Sequence, residues 1–424
     1  MNRNTKKDGR LIRLAAIVII TLFACSFVLA ACAKNGADGN GQSAHGTYTI
    51  TTVNDNYSAG TISSYNSEPY EDGTSVTIAA RANDGYTFLG WYEGETLVSD
   101  KYTYIFDMPT KNITYTAKWA IAQYQRSDNN VYLGSYPQTE VLDAGLLEAL
   151  NAQAGTLPTA SDAQAWTDYG YYVNAAPKAF MWYQDVEYNN EKYRGVYFTE
   201  YRPLFCTDIS GTNNNYQDDH GYDPSNVYWF KFEPIKWRIL ASNEADGTAF
   251  IMTDIVLDSQ DFEPTKATYE YDHNGGRGKA NNYALSHIRA WLNSSFYNTA
   301  FNDAQKAIVK TTTVDNSEAS TGQTGNHNVC ENTNDKIFLL SLADVQNEDY
   351  GFTSDITRQC KGSKYAVVQG LHVADDDMTV WWLRTANDNS NIDARYMHNS
   401  GVYYYTTGVS RTHNGIRPAC WIRL

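Results

Sequence analysis

The chain lacks the short signatures that usually mark catalytic and metal centres. No HExxH, GxSxG, Walker phosphate loop or GxGxxG occurs in its 424 residues. Zinc-peptidase, serine-hydrolase, nucleotide and dinucleotide chemistry therefore find no anchor in it. No CxxC occurs either, so zinc ligation has no support in cysteine spacing. Lysine is scarce, and 33 basic residues face 48 acidic ones, a net charge of −15. A surface of that sign repels phosphate backbones and anionic lipid heads, which excludes nucleic acid as a partner.

What is present begins with the N-terminus. Arg3, Lys6, Lys7, Arg10 and Arg13 precede an apolar run over residues 14–31. A basic stretch followed by an apolar one has the order of a secretory signal. The run ends in Leu29-Ala30-Ala31-Cys32, which resembles a bacterial lipobox. In that motif small residues fit the peptidase, and the cysteine thiol accepts a diacylglycerol. The resemblance implies a signal peptide over 1–31 and membrane attachment through a lipid on Cys32, on the extracytoplasmic face of the cell. Cys25 would leave with the signal. Residues 33–46, rich in Gly, Asn and Ala without apolar periodicity, read as a flexible tether with a reach of about 20 Å. Counted from the lipidated cysteine to the start of the repeat at Gly46, the tether spans 32–45. Loss of 1–31 removes five positive charges and Asp8, taking −15 to −19. Attachment must then come from the lipid and not from a basic patch.

Tyrosine is abundant at 33 residues. With many Asn, Gly and Thr, this composition suits an exported protein rich in strands and loops. The remaining length, about 390 residues, exceeds one core and implies two or more domains. Four cysteines follow Cys32, at Cys206, Cys330, Cys360 and Cys420. An even number in an exported chain permits two disulfides in three connectivities, with free buried thiols as the other reading.

Over 46–120 apolar residues alternate. Val76, Ile78 and Ala80 form one set, Tyr102, Tyr104, Phe106 and Met108 a second, and Ile113, Tyr115, Ala117 and Trp119 a third. Period two between turn-forming pieces predicts a small antiparallel β unit. Its GYTFLGW, FDMP and TAKW elements resemble the divergent internalin B-type repeat of bacterial surface proteins. That resemblance implies a compact β-grasp-like module serving as a stalk or contact unit. Trp91 and Trp119 are expected in its core, since so small a unit has little else to bury.

Residues 128–424 form the larger part. The polar stretch GTNNNYQDDHGYDP is turn-prone. Its neighbourhood offers Asp208, Asp218, Asp219 and Asp223 as oxygen ligands, so calcium enters as the one possible cofactor. The spacing does not match an EF-hand loop, and a solvated loop is the simpler expectation. A hairpin follows, with Ile235, Trp237 and Ile239 on one face and a turn at Asp246-Gly247. Ser286 is positioned to cap a helix carrying Ile288, Trp291, Leu292 and Phe296. Asn302 and Gln305 form a capping-box pattern. DKIFLLSLADV reads as a buried strand, with Ser341 starting a helix. Strands are expected at 380–384 and 402–406.

IKWRIL, IRAWLNSSFYNTAF, DKIFLLSLADV, YAVVQG, WWLRTA and NGIRPACWIRL occur here in the order seen in the bacterial domain-of-unknown-function family 6273, which this segment resembles. The pattern is also similar to C-type-lectin and formylglycine-generating-enzyme folds. Those folds end in a tryptophan-rich strand, a polar loop and an arginine-bearing closing strand. The expected fold is mainly β: a small β-grasp-like repeat, then a larger C-type-lectin-like α+β domain. Trp381 and Trp382 are expected to pack, one toward the core and one to the opposite side. Arg384 and Arg417 are expected to pair with a buried carboxylate or carbonyl. The lectin-like layout makes Trp382, Arg384, Asn387, Asp388, Asn391, Asp393 and His413 the candidate ligand-binding residues.

Three functions compete. The first is a lipid-anchored binding or adhesion protein recognising a surface glycan or a protein. The second is a structural or assembly component without a small ligand. The third is a carbohydrate-active hydrolase. The last needs two carboxylates at a set separation, and none stands out among 48 acidic residues.

Overall fold

The structure, a computed structural model, describes residues 46–64, 68–83, 86–207, 216–264 and 279–424. The signal segment, the tether, Cys32 and Asp208 lie outside the described residues.

Alternation in the repeat becomes strand structure. Strand Ser75–Ala82 buries Val76, Ile78 and Ala80 and pairs on either side with Gly60–Ser64 and Thr103–Asp107. A second sheet runs Ile50–Asn54, Ile113–Ile121, Tyr86–Glu93, Thr96–Ser99. Its first pair is parallel, with Ile50 opposite Ile113. That parallel pairing is shared with a β-grasp, but no helix occurs among the described residues of this module. Trp91 is fully buried in its core. Trp119 is half-buried against the same core, its indole donating to Asn54 Oδ1 at 2.8 Å.

The larger body is also mainly β. An antiparallel sheet runs Gln125–Ser127, Asn130–Glu140, Val227–Asn243, Glu191–Phe198, Met181–Tyr188, Thr167–Asp168. The 17-residue strand Val227–Asn243 outruns its neighbours. Its far half pairs with Thr248–Thr253, which in turn pairs with Ala419–Arg423. The sheet curls because one strand serves two sets of partners. Ile235 and Trp237 are fully buried as their alternation requires. A β-bulge between Ile239 and Ala241 then turns Leu240 inward and leaves Ile239 only half-buried. Strict alternation had placed Ile239 with Ile235 and Trp237, and one inserted residue reverses the phase.

A five-stranded sheet completes the body, in the order Asp258–Ser259, Gly415–Ile416, Trp381–Ala386, Asp393–Met397, Thr406–Gly408. Short helices surround it. Ser286 caps His287–Trp291 by accepting from the Arg289 amide. The chain then passes through a π-turn, Leu292–Phe296, before Tyr297–Ala300. The Asn302/Gln305 and Ser341/Asp344 capping boxes both form. Among the described residues no helix is long and apolar enough to cross a membrane.

Two expected strands are not strands. Ile337–Leu340 is buried, but only Phe338 makes a bridge, to Ala419. Its apolar run reflects burial on all sides, which periodicity cannot tell from a sheet. Residues 402–405 are irregular, and the pairing partner of Asp393–Met397 is Thr406–Gly408. Cys206, Cys330, Cys360 and Cys420 are all free thiols, so the disulfide reading is corrected. Three are buried. Burial pushes the Cys360 and Cys420 thiols above their ordinary range, which keeps them protonated.

Candidate functional site

The seven candidate binding residues separate into an inner and an outer group. Trp381 and Trp382 are both fully buried. The Trp382 indole donates to the Gln260 carbonyl at 2.9 Å and meets Phe262 edge-on. Arg417 lies over Trp381 at 5.1 Å and donates to the Thr253 and Asp254 carbonyls. All six residues of Trp381–Ala386 are buried, so the side opposite the core is covered too. Arg384 donates to Asp344 Oδ2 and to the Leu339 carbonyl, each at 2.7 Å, and to the Asp315 carbonyl at 3.2 Å.

His413 is inside as well. Its ring stacks on Tyr216 at 4.9 Å, and its Nε2 accepts from Arg411 at 3.2 Å. Burial first, then the charge of Arg411 and the neighbouring His372, push its pKa down to about 3. His372, edge-on to the same Tyr216, is lowered by burial too. An unfolded histidine takes its proton near 6.5, whereas folded His413 refuses it until about pH 3. The unfolded state therefore binds more protons between those values, and stability falls as the solution is acidified. The slope this residue adds approaches 1.4 kcal/mol per pH unit. Urea midpoints measured from pH 7 down to pH 4 should fall more steeply in the native chain than in His413→Gln. Equal slopes would contradict the assignment.

Asn387, Asp388, Asn391 and Asp393 form the outer group, on or beside the loop that follows Trp381–Ala386. The loop is fastened from below through its backbone. Asn328 Nδ2 donates to the carbonyls of Asn387, Asp388 and Ser390, and Asn281 Nδ2 to those of Ser390 and Asp393. With its carbonyls held inward, the loop leaves Asn391 exposed and Asn387, Asp388 and Asp393 half-exposed. Asp388 lies 3.3 Å from Arg395. Arg395, itself buried, also donates to the Tyr404 carbonyl at 2.9 Å and to Gln323 Oε1 at 2.8 Å. One guanidinium thus ties the polar loop to the tyrosine loop beyond the next strand. Asn387 adds a 3.4 Å contact to Thr406.

That tyrosine loop carries residues absent from the seven. Tyr404 and Tyr405 stack at 5.4 Å, and Tyr405 continues onto His398 at 4.7 Å, with Tyr396 at 6.1 Å. Tyr404 is 65% and Tyr405 42% exposed. Tyr403 turns inward under the Arg358 guanidinium at 4.8 Å. The exposed Ile356 sits on the short helix Asp355–Arg358, which the loop abuts at Gly401. Gly401 has φ +83, and a Cβ there would lie 1.8 Å from the Asp355 carbonyl, so only glycine permits this approach. The signal for the row was the run Tyr403-Tyr404-Tyr405, which looked like part of a strand. The result is a hydrogen-bonded surface with partly open aromatic rings beside amide and carboxylate groups. That combination suits a polyhydroxylated ligand, which stacks on rings and bonds in pairs to planar polar groups.

A few carboxylates elsewhere are internal: Asp258, Asp261, Glu263 and Asp335. Asp258 accepts from Tyr136, from the Ser259 amide and from Gln260, and burial still raises its pKa. Among the described residues no three His, Cys, Asp or Glu side chains converge as a metal site. Of the calcium set, Asp218 and Asp219 lie on the turn Asp218–His220, and Asp223 accepts from Tyr201 at 3.2 Å.

Comparison with known families places two matches on the chain. Residues 38–123 match the divergent InlB B-repeat domain, and residues 246–424 match a domain of unknown function, DUF6273. The second match begins at the Asp246-Gly247 turn. The strand before that turn, Val227–Asn243, nevertheless belongs to the same sheet. No curated protein and no solved structure matches the chain.

Proposed function

We propose that this chain is a lipid-anchored extracytoplasmic protein that binds a surface glycan through the face formed by Tyr404, Tyr405, His398 and the loop 387–393. The observation that carries the reading is the ring row. Two stacked tyrosines stand open to solvent, while Arg395 holds the Tyr404 carbonyl beneath them and Asn328 holds the adjoining loop at Asn387. Exposed aromatics on a rigid support lose little entropy on binding and give much contact area. The bacterial surface repeat fits a surface-associated protein, and the signal-like N-terminus with Cys32 supplies the anchor. The resemblance of the sequence to C-type-lectin folds, a tryptophan strand followed by a polar loop, is a further support at the level of layout.

The test is a glycan and mucin array, run with calcium and with a chelator. Binding to at least one glycan class is expected, reduced about tenfold or more in Tyr405→Ala, since loss of one ring stack is worth around 1.4 kcal/mol. A blank array in both conditions would sink the glycan reading and leave a protein as the ligand to look for.

A further inference from the structure

A groove of about 650 Å³ lies where the repeat hands over to the larger body. It is within the size range of small-ligand sites. One wall is the connection that follows strand Ile113–Ile121, and the other is the segment 298–305. The floor is built by a bulge in strand Asn130–Glu140, between Tyr132 and Ser135. Gly134 in that bulge has φ +72, and a Cβ there would lie 2.6 Å from the Ala300 carbonyl. Glycine lets the strand meet the helical segment closely, and the groove opens beside that contact.

The lining is unusual for this chain. About one residue in five in the sequence is charged, and the net charge is −15, yet no charged side chain lines the groove. Five carboxamides do: Gln123, Gln125, Asn298, Asn302 and Gln305. Tyr124 and Tyr132 add half-buried aromatic rings, while Phe301 lies beneath them in the core. The amides offer both polarities. Asn302 and Gln305 spend their carbonyl oxygens on each other's backbone amides in the helix cap, which leaves amino groups as donors. Gln123 spends its amino group on the Ile121 carbonyl, which leaves an acceptor.

We infer that this groove is a second ligand site, for a short neutral oligosaccharide. Donors, acceptors and rings without charge match a chain of sugar hydroxyls, and an ionic ligand would find no counter-charge. A peptide is less suited, because the adjoining edge strand Gln125–Ser127 has only three residues to offer as a ladder. The site is separate from the tyrosine row, and each can fail without the other.

The experiment is calorimetric titration of the purified chain with maltotriose, cellotriose and triacetylchitotriose. At least one should bind saturably. The affinity should fall about tenfold or more in Gln125→Ala/Asn298→Ala, and stay unchanged in Tyr404→Ala/Tyr405→Ala. Gln125 and Asn298 are exposed, so this variant should melt at the native temperature. No binding by any of the three, or binding unaffected by the groove substitutions, would overturn the inference.

Discussion

Trp382→Ala is expected to lose about 3–5 kcal/mol of stability, the range for emptying a fully buried tryptophan site. The indole is sealed, meets Phe262 edge-on and donates to the Gln260 carbonyl. Truncation leaves both a cavity and an unpaired buried acceptor. Trp382→Phe separates the two effects. It fills most of the volume and still strands the carbonyl, at a cost of about 1–3 kcal/mol. Urea denaturation of both variants measures this. A ligand platform would behave in the opposite way, with alanine leaving stability untouched and abolishing binding.

Arg384→Ala should be comparably damaging, at about 3–5 kcal/mol, because it removes one partner of a largely buried ion pair. Side-chain exposure is 6% for Arg384 and 20% for Asp344, so little water can replace the guanidinium. The loss also opens the Leu339 and Asp315 carbonyls. Asp344 would keep its bonds to Ser341, which places the cost toward the lower end of that range. Arg384→Lys should recover less than half, since an ammonium cannot reach three acceptors spread across a planar fork. A double-mutant cycle with Asp344→Asn should give a coupling of about 1–3 kcal/mol. Coupling near zero would mean that the arginine acts through its carbonyl contacts alone.

These two residues show what a sequence conveys here and what it hides. The repeat was legible because period two in Val76, Ile78 and Ala80 has a single structural meaning. The caps at Ser286, Asn302 and Ser341 were legible because their chemistry is local. Packing of Trp381 and Trp382 was expected, and so was the pairing of Arg384 and Arg417 with buried acceptors. The bulge at Leu240 was not legible, since one inserted residue leaves no compositional mark. Nor was the strand-free burial of Ile337–Leu340, whose apolar run fits any element surrounded by core. The site was half legible. The polar loop 387–393 stood out by composition, but the tyrosines beside it resembled a strand. Their setting depends on Arg395 bonded to Gln323 and the Tyr404 carbonyl, and on Gly401 against Asp355, contacts that only the fold makes.

The central claim is that ligand rests on the tyrosine row. Saturation-transfer NMR, with irradiation of the protein's aromatic protons and observation of the glycan selected by the array, tests it most directly. The account predicts strong transfer to the sugar ring protons. That transfer should be lost in Tyr404→Ala/Tyr405→Ala and retained in Gln125→Ala/Asn298→Ala. Transfer that survives loss of both tyrosines would contradict it.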